Sequence, residues 1–525
     1  MSEQTKNTGH PKGLYVLFFT EMWERFSYYG MRAILILFMT KMLAFDSKLA
    51  SGIYGNFTAL VYLTPLIGGF ISDRYWGNRR SIVVGGITMA IGQFILFFCA
   101  SMVATDMHIA IILFVVGLTA LVIGNGLFKP NISTMVNQLY GPGDKRVDAA
   151  FTIFYMGINL GALFSPLICG SLAEKVDYKW GFFAAGVGMA CGLVVFQMLK
   201  NKYIVTADGK QIGTRPEKKS DLIVKDVDEP KSNVFVPKTE ELKDKAKEFS
   251  PARIGLWLLI YAALWFVFMH FVGFNWISTL VFATSISASG FIITDPLLSH
   301  VDRQRIIVIY IAAFFVIFFW SAFEQAGASL TLFADKQVDR HIFGWEMPAS
   351  WFQSINPLAI IVFAPLFATI WVALGKKNKE PASPLKQAIG LALLSIGYLV
   401  IAFGVKGVDG ATKASMFWLI GMYILHTFGE LCLSPIGLSM VARLSPARLA
   451  SLLMGVWFLA NAMANDFAGM LSKLYPEGGK PTSIFGHQIV TLNDFFMIFV
   501  VFSGVAAVLL FLISRWLLKM MNGIR

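Results

Sequence analysis

The chain has 525 residues, a formal net charge of +12, 56% hydrophobic residues, 47 phenylalanines and only 14% charged residues. With a mean hydropathy of +0.63, it has too little polar surface to cover a water-soluble globule, which excludes that class and points to a helical protein crossing a membrane many times. The positive charge is scattered over short connections and ends, the pattern of a membrane protein with basic loops on one side rather than of a nucleic-acid binder.

Spanning a bilayer takes about 20 apolar residues in a helix. Such runs fall near 14–40, 52–73, 81–102, 108–138, 150–173 and 180–200. After a polar stretch over 201–250 they resume near 253–272, 276–294, 306–333, 350–374, 386–405, 414–442, 449–472 and 494–518. Fourteen spans place both termini on one side. Arg74, Arg79 and Arg80, Lys145 and Arg146, Arg303 and Arg305, Lys376 to Lys386, and Arg443 and Arg448 all fall in one set of loops. That set, with both termini, is expected on the cytoplasmic side. The first ten residues are polar and no short apolar segment with a small-residue cleavage site precedes the first span, so that span is the expected insertion signal.

Six spans, a linker, two further spans and six more predict two six-helix bundles with an inserted hairpin, a design with known internal-repeat counterparts among transporters. The predicted divisions are a tail (1–13), an N-terminal bundle (14–200), a linker (201–250), the hairpin (251–300), a C-terminal bundle (301–518) and a tail (519–525). Within the linker, 239–249 (TEELKDKAKEF) has the pattern of a short solvated or surface-lying amphipathic helix.

The first span carries the most telling chemistry. Glu21, Glu24, Arg25, Tyr28 and Arg32 recur at i, i+3, i+4, i+7 and i+11, one stripe of a helix. Four charges on one face cannot look at lipid and must face a bundle interior or a watery cavity. Structural ion pairs would account for the signs alone; the added tyrosines suit a zwitterion with peptide or aromatic groups. His426, one turn before Glu430, reads as an interior histidine, and Asp466 as an acid near a span end held by water. Cys99, Cys169, Cys191 and Cys432 fall inside spans and read as core residues. The seven histidines are too scattered for a metal site, and no G-x-x-x-x-G-K loop is present for ATP. An enzyme and an ATP-driven pump are therefore not expected.

Longer motifs carry a resemblance. Gly68 to Arg80 (GGFISDRYWGNRR) resembles the loop signature of the major facilitator superfamily. Glu21 to Gly30 (EMWERFSYYG) matches the ExxERFxYYG motif of the proton-coupled oligopeptide transporter family. Phe151 to Gly161 (FTIFYMGINLG), Gly124 to Asn131 (GNGLFKPN) and Trp320 to Gln325 (WSAFEQ) resemble further segments of that family. The resemblance implies an all-α major facilitator fold of fourteen transmembrane helices and a symporter that imports di- and tripeptides with protons by alternating access. It also implies no cofactor, the proton gradient as driving force, and a multi-pass protein of the bacterial inner membrane among lipids, without nucleic acid or obligatory protein partner. A same-fold carrier of nitrate or a drug-like solute remains the alternative; against it, an anion has no amine to satisfy Glu430.

The resemblance assigns proton coupling to Glu21, Glu24, Arg25 and Glu324. Substrate binding falls to Arg25, Arg32 and Lys129 for the carboxylate, Glu430 for the amine, and Asn159 and Asn356 for the backbone. Tyr28, Tyr29, Tyr62, Trp320 and Trp457 would form aromatic walls, and Arg32, Lys129 and Glu430 would gate; apart from the resemblance, Asp335 just outside the span reads either as a gate partner of Arg32 or as an ordinary loop acid. Gly55 stands where animal members carry a histidine, and only the short connection 405–413 stands where they carry a large insertion; both departures look bacterial. The physics agrees with such a site: a zwitterion needs a cation, an anion and neutral donor–acceptor groups between them. Glu21, Glu24, Glu324 and Glu430 outnumber Arg25, Arg32 and Lys129 by one, and an unpaired buried carboxylate is expected to carry a proton in some states.

Overall fold

The computed structural model describes residues 9–141, 144, 146–206, 209–215, 250–408, 412–476, 481–484 and 486–524. The 239–249 segment lies outside them. Fourteen long helices dominate the described residues. The first six are α1 (Lys12–Lys41), α2 (Ser47–Ile71), α3 (Asn78–Met102), α4 (Met107–Gln138), α5 (Val147–Ser165) and α6 (Tyr178–Tyr203). The inserted pair is α7 (Pro251–Val267) and α8 (Trp276–Ile293). The last six are α9 (His300–Phe323), α10 (Ile355–Lys376), α11 (Ser383–Gly404), α12 (Met416–Leu444), α13 (Ala450–Ser472) and α14 (Leu492–Met520).

Twelve of these are long and apolar enough to cross a membrane by composition alone. The other two, α1 and α13, are those into which the sequence builds polarity: α1 carries Glu21, Glu24, Arg25 and Arg32, and α13 carries Asn461, Asn465 and Asp466. Packing rather than hydropathy places them, with α1 against α5 and α6 and α13 against α2 and α9.

Side-chain caps fix where many helices begin. Asp46 accepts from the N–H groups of Lys48 and Leu49 at 2.9 Å, and Asp106 does the same for α4. Ser250 before Pro251 starts α7, Asn275 starts α8, and Thr491 with Asp494 forms a capping box on α14. Each cap satisfies N–H groups that the first helical turn leaves without a partner.

The helices form two bundles, α1–α6 and α9–α14, which meet where α2 lies on α13 and α5 on α10. At the first contact the backbones nearly touch: a Cβ added to Gly55 would lie 2.6 Å from Gly469 Cα. Only paired glycines permit that approach. Of the inserted pair, α8 packs on α13 and α2, whereas α7 buries none of its residues.

One end of the molecule carries the arginine-rich loops and is called the basic end; the other is the far end. The far end is shut by contacts between bundles. Lys41 Nζ lies 2.6 Å from Asp335 Oδ1, Ser51 Oγ lies 2.9 Å from Ser472 Oγ, and Trp351 Nε1 donates to Ser171 Oγ at 2.9 Å. Glu174 accepts from the N–H groups of Ala349 and Ser350 at 2.7 and 2.9 Å, where a helical turn begins and donors stand free. Toward the basic end, a cavity of about 670 Å³ between α2, α4, α12 and α13 is lined by Asp73, Pro130, Thr134, Ala450 and Met454. The molecule is therefore closed at the far end and hollow toward the basic end.

Candidate functional site

Between the bundles lies a cavity of about 290 Å³, and it shares Tyr62, Lys129 and Phe458 with the basic-end cavity. Its walls draw on both bundles: Tyr29 and Arg32 on α1, Tyr62 on α2, Lys129 on α4, Asn159 on α5, Trp320 on α9, Asn356 on α10, Glu430 on α12 and Trp457 on α13. Glu324, in the short turn that follows α9, also lines it. The sequence motifs thus converge on one space although they are spread over some 440 residues of chain.

The charges fall into three groups. Behind the wall, Arg25 is held by two carboxylates: Glu24 by a direct hydrogen bond to Nε, and Glu21 at 3.2 Å. All three are at most 2% exposed, and Asn125 Nδ2 donates to the other oxygen of Glu24 at 3.2 Å. The guanidinium lies 5.5 Å from the Tyr28 ring and 5.9 Å from the Tyr29 ring, within cation–π range. The second group crosses the bundles: Arg32 is bonded to Glu324, and its Nε donates to Tyr54 Oη at 2.6 Å.

The third group is a pair of charges without counter-ions. Lys129 Nζ sits 4.5 Å from the Tyr62 ring centroid, and no carboxylate among the described residues is within ion-pair distance. On the opposite bundle, Glu430 accepts from Asn356 Nδ2 at 2.8 Å and has no cation partner among the described residues. Asn356 is itself oriented by Thr427 Oγ1 at 3.0 Å. One cation and one anion are thus free to meet a ligand, with Asn159 and Gln353 in the same wall.

A profile of the POT family matches residues 79–485. The chain belongs to that family. POT relatives match nearly end to end: the peptide transporter YePEPT of Yersinia enterocolitica is 36% identical over 475 residues, 88% of each chain. The di-/tripeptide transporter of Lactococcus lactis subsp. cremoris is 30% identical over 531 residues, 98% of each chain. A crystal structure of a mutant of peptide transporter POT in complex with alafosfalin superposes with a TM-score of 0.77 at 32% identity, covering 99% of this chain and 98% of that one.

Several residues stand elsewhere than the sequence reading implied. Tyr28 is 3% exposed and outside the cavity wall, its ring stacked on Phe57 and its hydroxyl without a partner among the described residues; its neighbour Tyr29 faces the space. Arg25 likewise lies behind the wall. Asp335 does not pair with Arg32, because Glu324 already occupies that guanidinium; it pairs with Lys41 and, at 3.5 Å, with Arg340. Asp466 is not at a wet helix end but 2% exposed. His426, by contrast, is interior as its sequence position implied, its ring 4.7 Å from that of Tyr398.

Other wall and support residues were not singled out. Tyr155 lies one turn before Asn159, its backbone carbonyl accepts from Asn159 Nδ2 at 2.9 Å, and it lines the cavity. Tyr155 and Asn125 both sit inside the quoted motifs, so their spacing was a usable signal. Tyr54 and Gln353 had none, since what matters in each is a partner on another helix.

The Lys41 contact gives a measurable expectation. Lys41 is 43% exposed, so the pair is worth about 0.2–1 kcal/mol. A double-mutant cycle of Lys41→Gln and Asp335→Asn, read as the population closed at the far end by spin-label distances, should give a coupling of that size. The Arg32→Gln and Asp335→Asn cycle should be additive.

Proposed function

We propose that this chain is a secondary carrier that imports di- and tripeptides across a bacterial cytoplasmic membrane together with protons, its bundles rocking about the central cavity. The observation that carries the reading is the free cation Lys129 facing a cavity whose other bundle presents the free anion Glu430. A peptide zwitterion complements both, and its amide meets Asn159 and Asn356. The aromatic wall of Tyr29, Tyr62, Trp320 and Trp457 accepts varied side chains by contact area rather than by fixed hydrogen bonds.

In this mechanism Lys129 and Glu430 hold the two ends of the peptide and so draw α4 and α12 together at the basic end. Arg32, bonded to Glu324 and Tyr54, holds the far end shut. Protonating Glu324 removes the charge that binds Arg32 and frees the guanidinium for the peptide carboxylate. Arg25 is shared by two carboxylates, and a proton binds to the surplus one. Both termini lie in the cytoplasm, and the proton gradient supplies the driving force.

The test is uptake of labelled dialanine by proteoliposomes of purified protein, with and without an inward proton gradient. Gradient-driven accumulation blocked by a tripeptide, but not by free alanine or nitrate, is the expected result. Folded protein that takes up nitrate and no dialanine would overturn the reading.

A further inference from the structure

The aromatic wall accounts for breadth of acceptance, whereas the amides at the shut end of the same cavity carry a preference. Trp457, Asn461 and Asn465 recur at i, i+4 and i+8 on α13, so they lie on one face of that helix, and all three line the cavity. Asn465 is the one nearest the closed far end: its backbone carbonyl lies 3.2 Å from where a Cβ on Gly55 would stand, at the contact of α2 with α13. Gln353, in the turn that leads into α10, lines the cavity from the same end. These three amides form its roof.

The partner of each amide fixes which way it points. Asn465 Nδ2 donates to the backbone carbonyl of Asn461 at 2.9 Å, and Asn461 Nδ2 to that of Trp457 at 3.3 Å. Gln353 Nε2 donates to Thr331 Oγ1 at 2.9 Å and to the backbone carbonyl of Ala33 at 3.4 Å. A carbonyl can only accept, so the atom that meets it is the amide nitrogen, and the oxygen is what remains. Gln353 has spent both of its N–H bonds, and the two asparagines have each spent one. The roof therefore keeps more lone pairs than hydrogens. Asn465 is the extreme case, since it is 2% exposed and its Oδ1 has no partner among the described residues. A buried acceptor left without a donor is costly, and the space in front of this one belongs to the ligand.

We propose that Asn465, with Asn461 and Gln353, is a specificity-determining acceptor site at the roof of the cavity, favouring peptides whose side chain carries a hydroxyl or amide N–H over isosteres that carry none. The proposal rests on the peptide-carrier reading and names the class of side chain that the site prefers. The termini and the amide of the peptide are already met by Lys129, Glu430, Asn159 and Asn356, which leaves the roof to a side chain. A deprotonated acidic side chain sets oxygen against oxygen there and is disfavoured by the same wall.

The experiment measures uptake by proteoliposomes of the full chain for two nearly isosteric pairs, alanyl-serine against alanyl-2-aminobutyrate and alanyl-glutamine against alanyl-methionine, each also in the reverse order. The readout is the ratio of KM values within a pair, which cancels any loss that both members share. Asn465→Leu, close to the native side chain in size, should raise KM for the serine or glutamine peptide about 2- to 12-fold relative to its partner in at least one order. Gln353→Met should move the ratio in the same direction. Ratios in Asn465→Leu that match the wild type for every pair overturn the proposal, because the idle oxygen then serves water alone. Should that variant not fold, unmoved ratios in Asn461→Leu, at a half-buried position, overturn it instead. Dialanine has no side-chain donor, so its uptake tests the transport reading by itself: lost dialanine uptake by the wild type condemns that reading, and intact uptake with unmoved ratios condemns only the roof.

Discussion

Glu24→Gln is expected to abolish uphill accumulation of dialanine while leaving exchange of labelled for unlabelled dialanine across equilibrated proteoliposomes. The reason is the charge count around Arg25. With Glu21 and Glu24 both within reach of one guanidinium, one carboxylate is in surplus and a proton resolves the conflict. With glutamine at position 24, Glu21 alone balances Arg25, no surplus remains, and proton binding is no longer linked to the state of the arginine. The glutamine carbonyl can keep the bond from Arg25 Nε, and its amide can donate to Asn125 Oδ1, which has no partner among the described residues, once the Asn125 amide turns over, so local packing is kept. A gradient of one pH unit supplies about 1.4 kcal/mol per proton, a tenfold accumulation. In the variant that tenfold should collapse to equality across the membrane. Accumulation preserved at the wild-type ratio would remove Glu24 from the coupling step.

The Arg25 cluster also marks how far the sequence carries. Helix i, i+3, i+4 spacing is a local property, so the stripe from Glu21 to Arg32 and its inward direction could be read from the sequence of α1 alone. Span positions could be read for the same reason: about 20 apolar residues between charged or capped ends leave few other ways to cross a bilayer. Which helices meet is not local. Arg32 was expected to meet Asp335, but Glu324 lies eleven residues earlier on the same stretch; the position of that stretch along α1 puts Glu324 at Arg32 and Asp335 at Lys41, nine residues further on. The approach of α2 to α13 depends on Gly55 meeting Gly469, a pairing that neither glycine announces. Asp466 misleads for the same reason, since its distance from the span end says nothing of α8 lying across it. The inserted pair is visible as two spans, but its site of docking exists only in three dimensions.

Replacing Glu430 by glutamine should produce the largest loss of substrate affinity, and only for substrates with a free amine. In the structure this carboxylate receives one hydrogen bond from Asn356 and no cation, which leaves a lone pair and a charge for the ligand. A charge-assisted hydrogen bond to an ammonium is worth about 1.5–3 kcal/mol, so KM for dialanine should rise by about 10- to 150-fold. Glutamine keeps the shape and the bond from Asn356 but offers a neutral oxygen. N-acetyl-dialanine, which has no ammonium, should be a poor substrate of the wild type and no poorer for the variant. That convergence separates recognition from a general loss of gating, because a gate that depended on Glu430 meeting Lys129 would slow both substrates alike and would appear in the maximal rate rather than in KM. A pure fall in maximal rate for both would move Glu430 out of the binding pole and into the gate, leaving Lys129 with the free charge of the cavity.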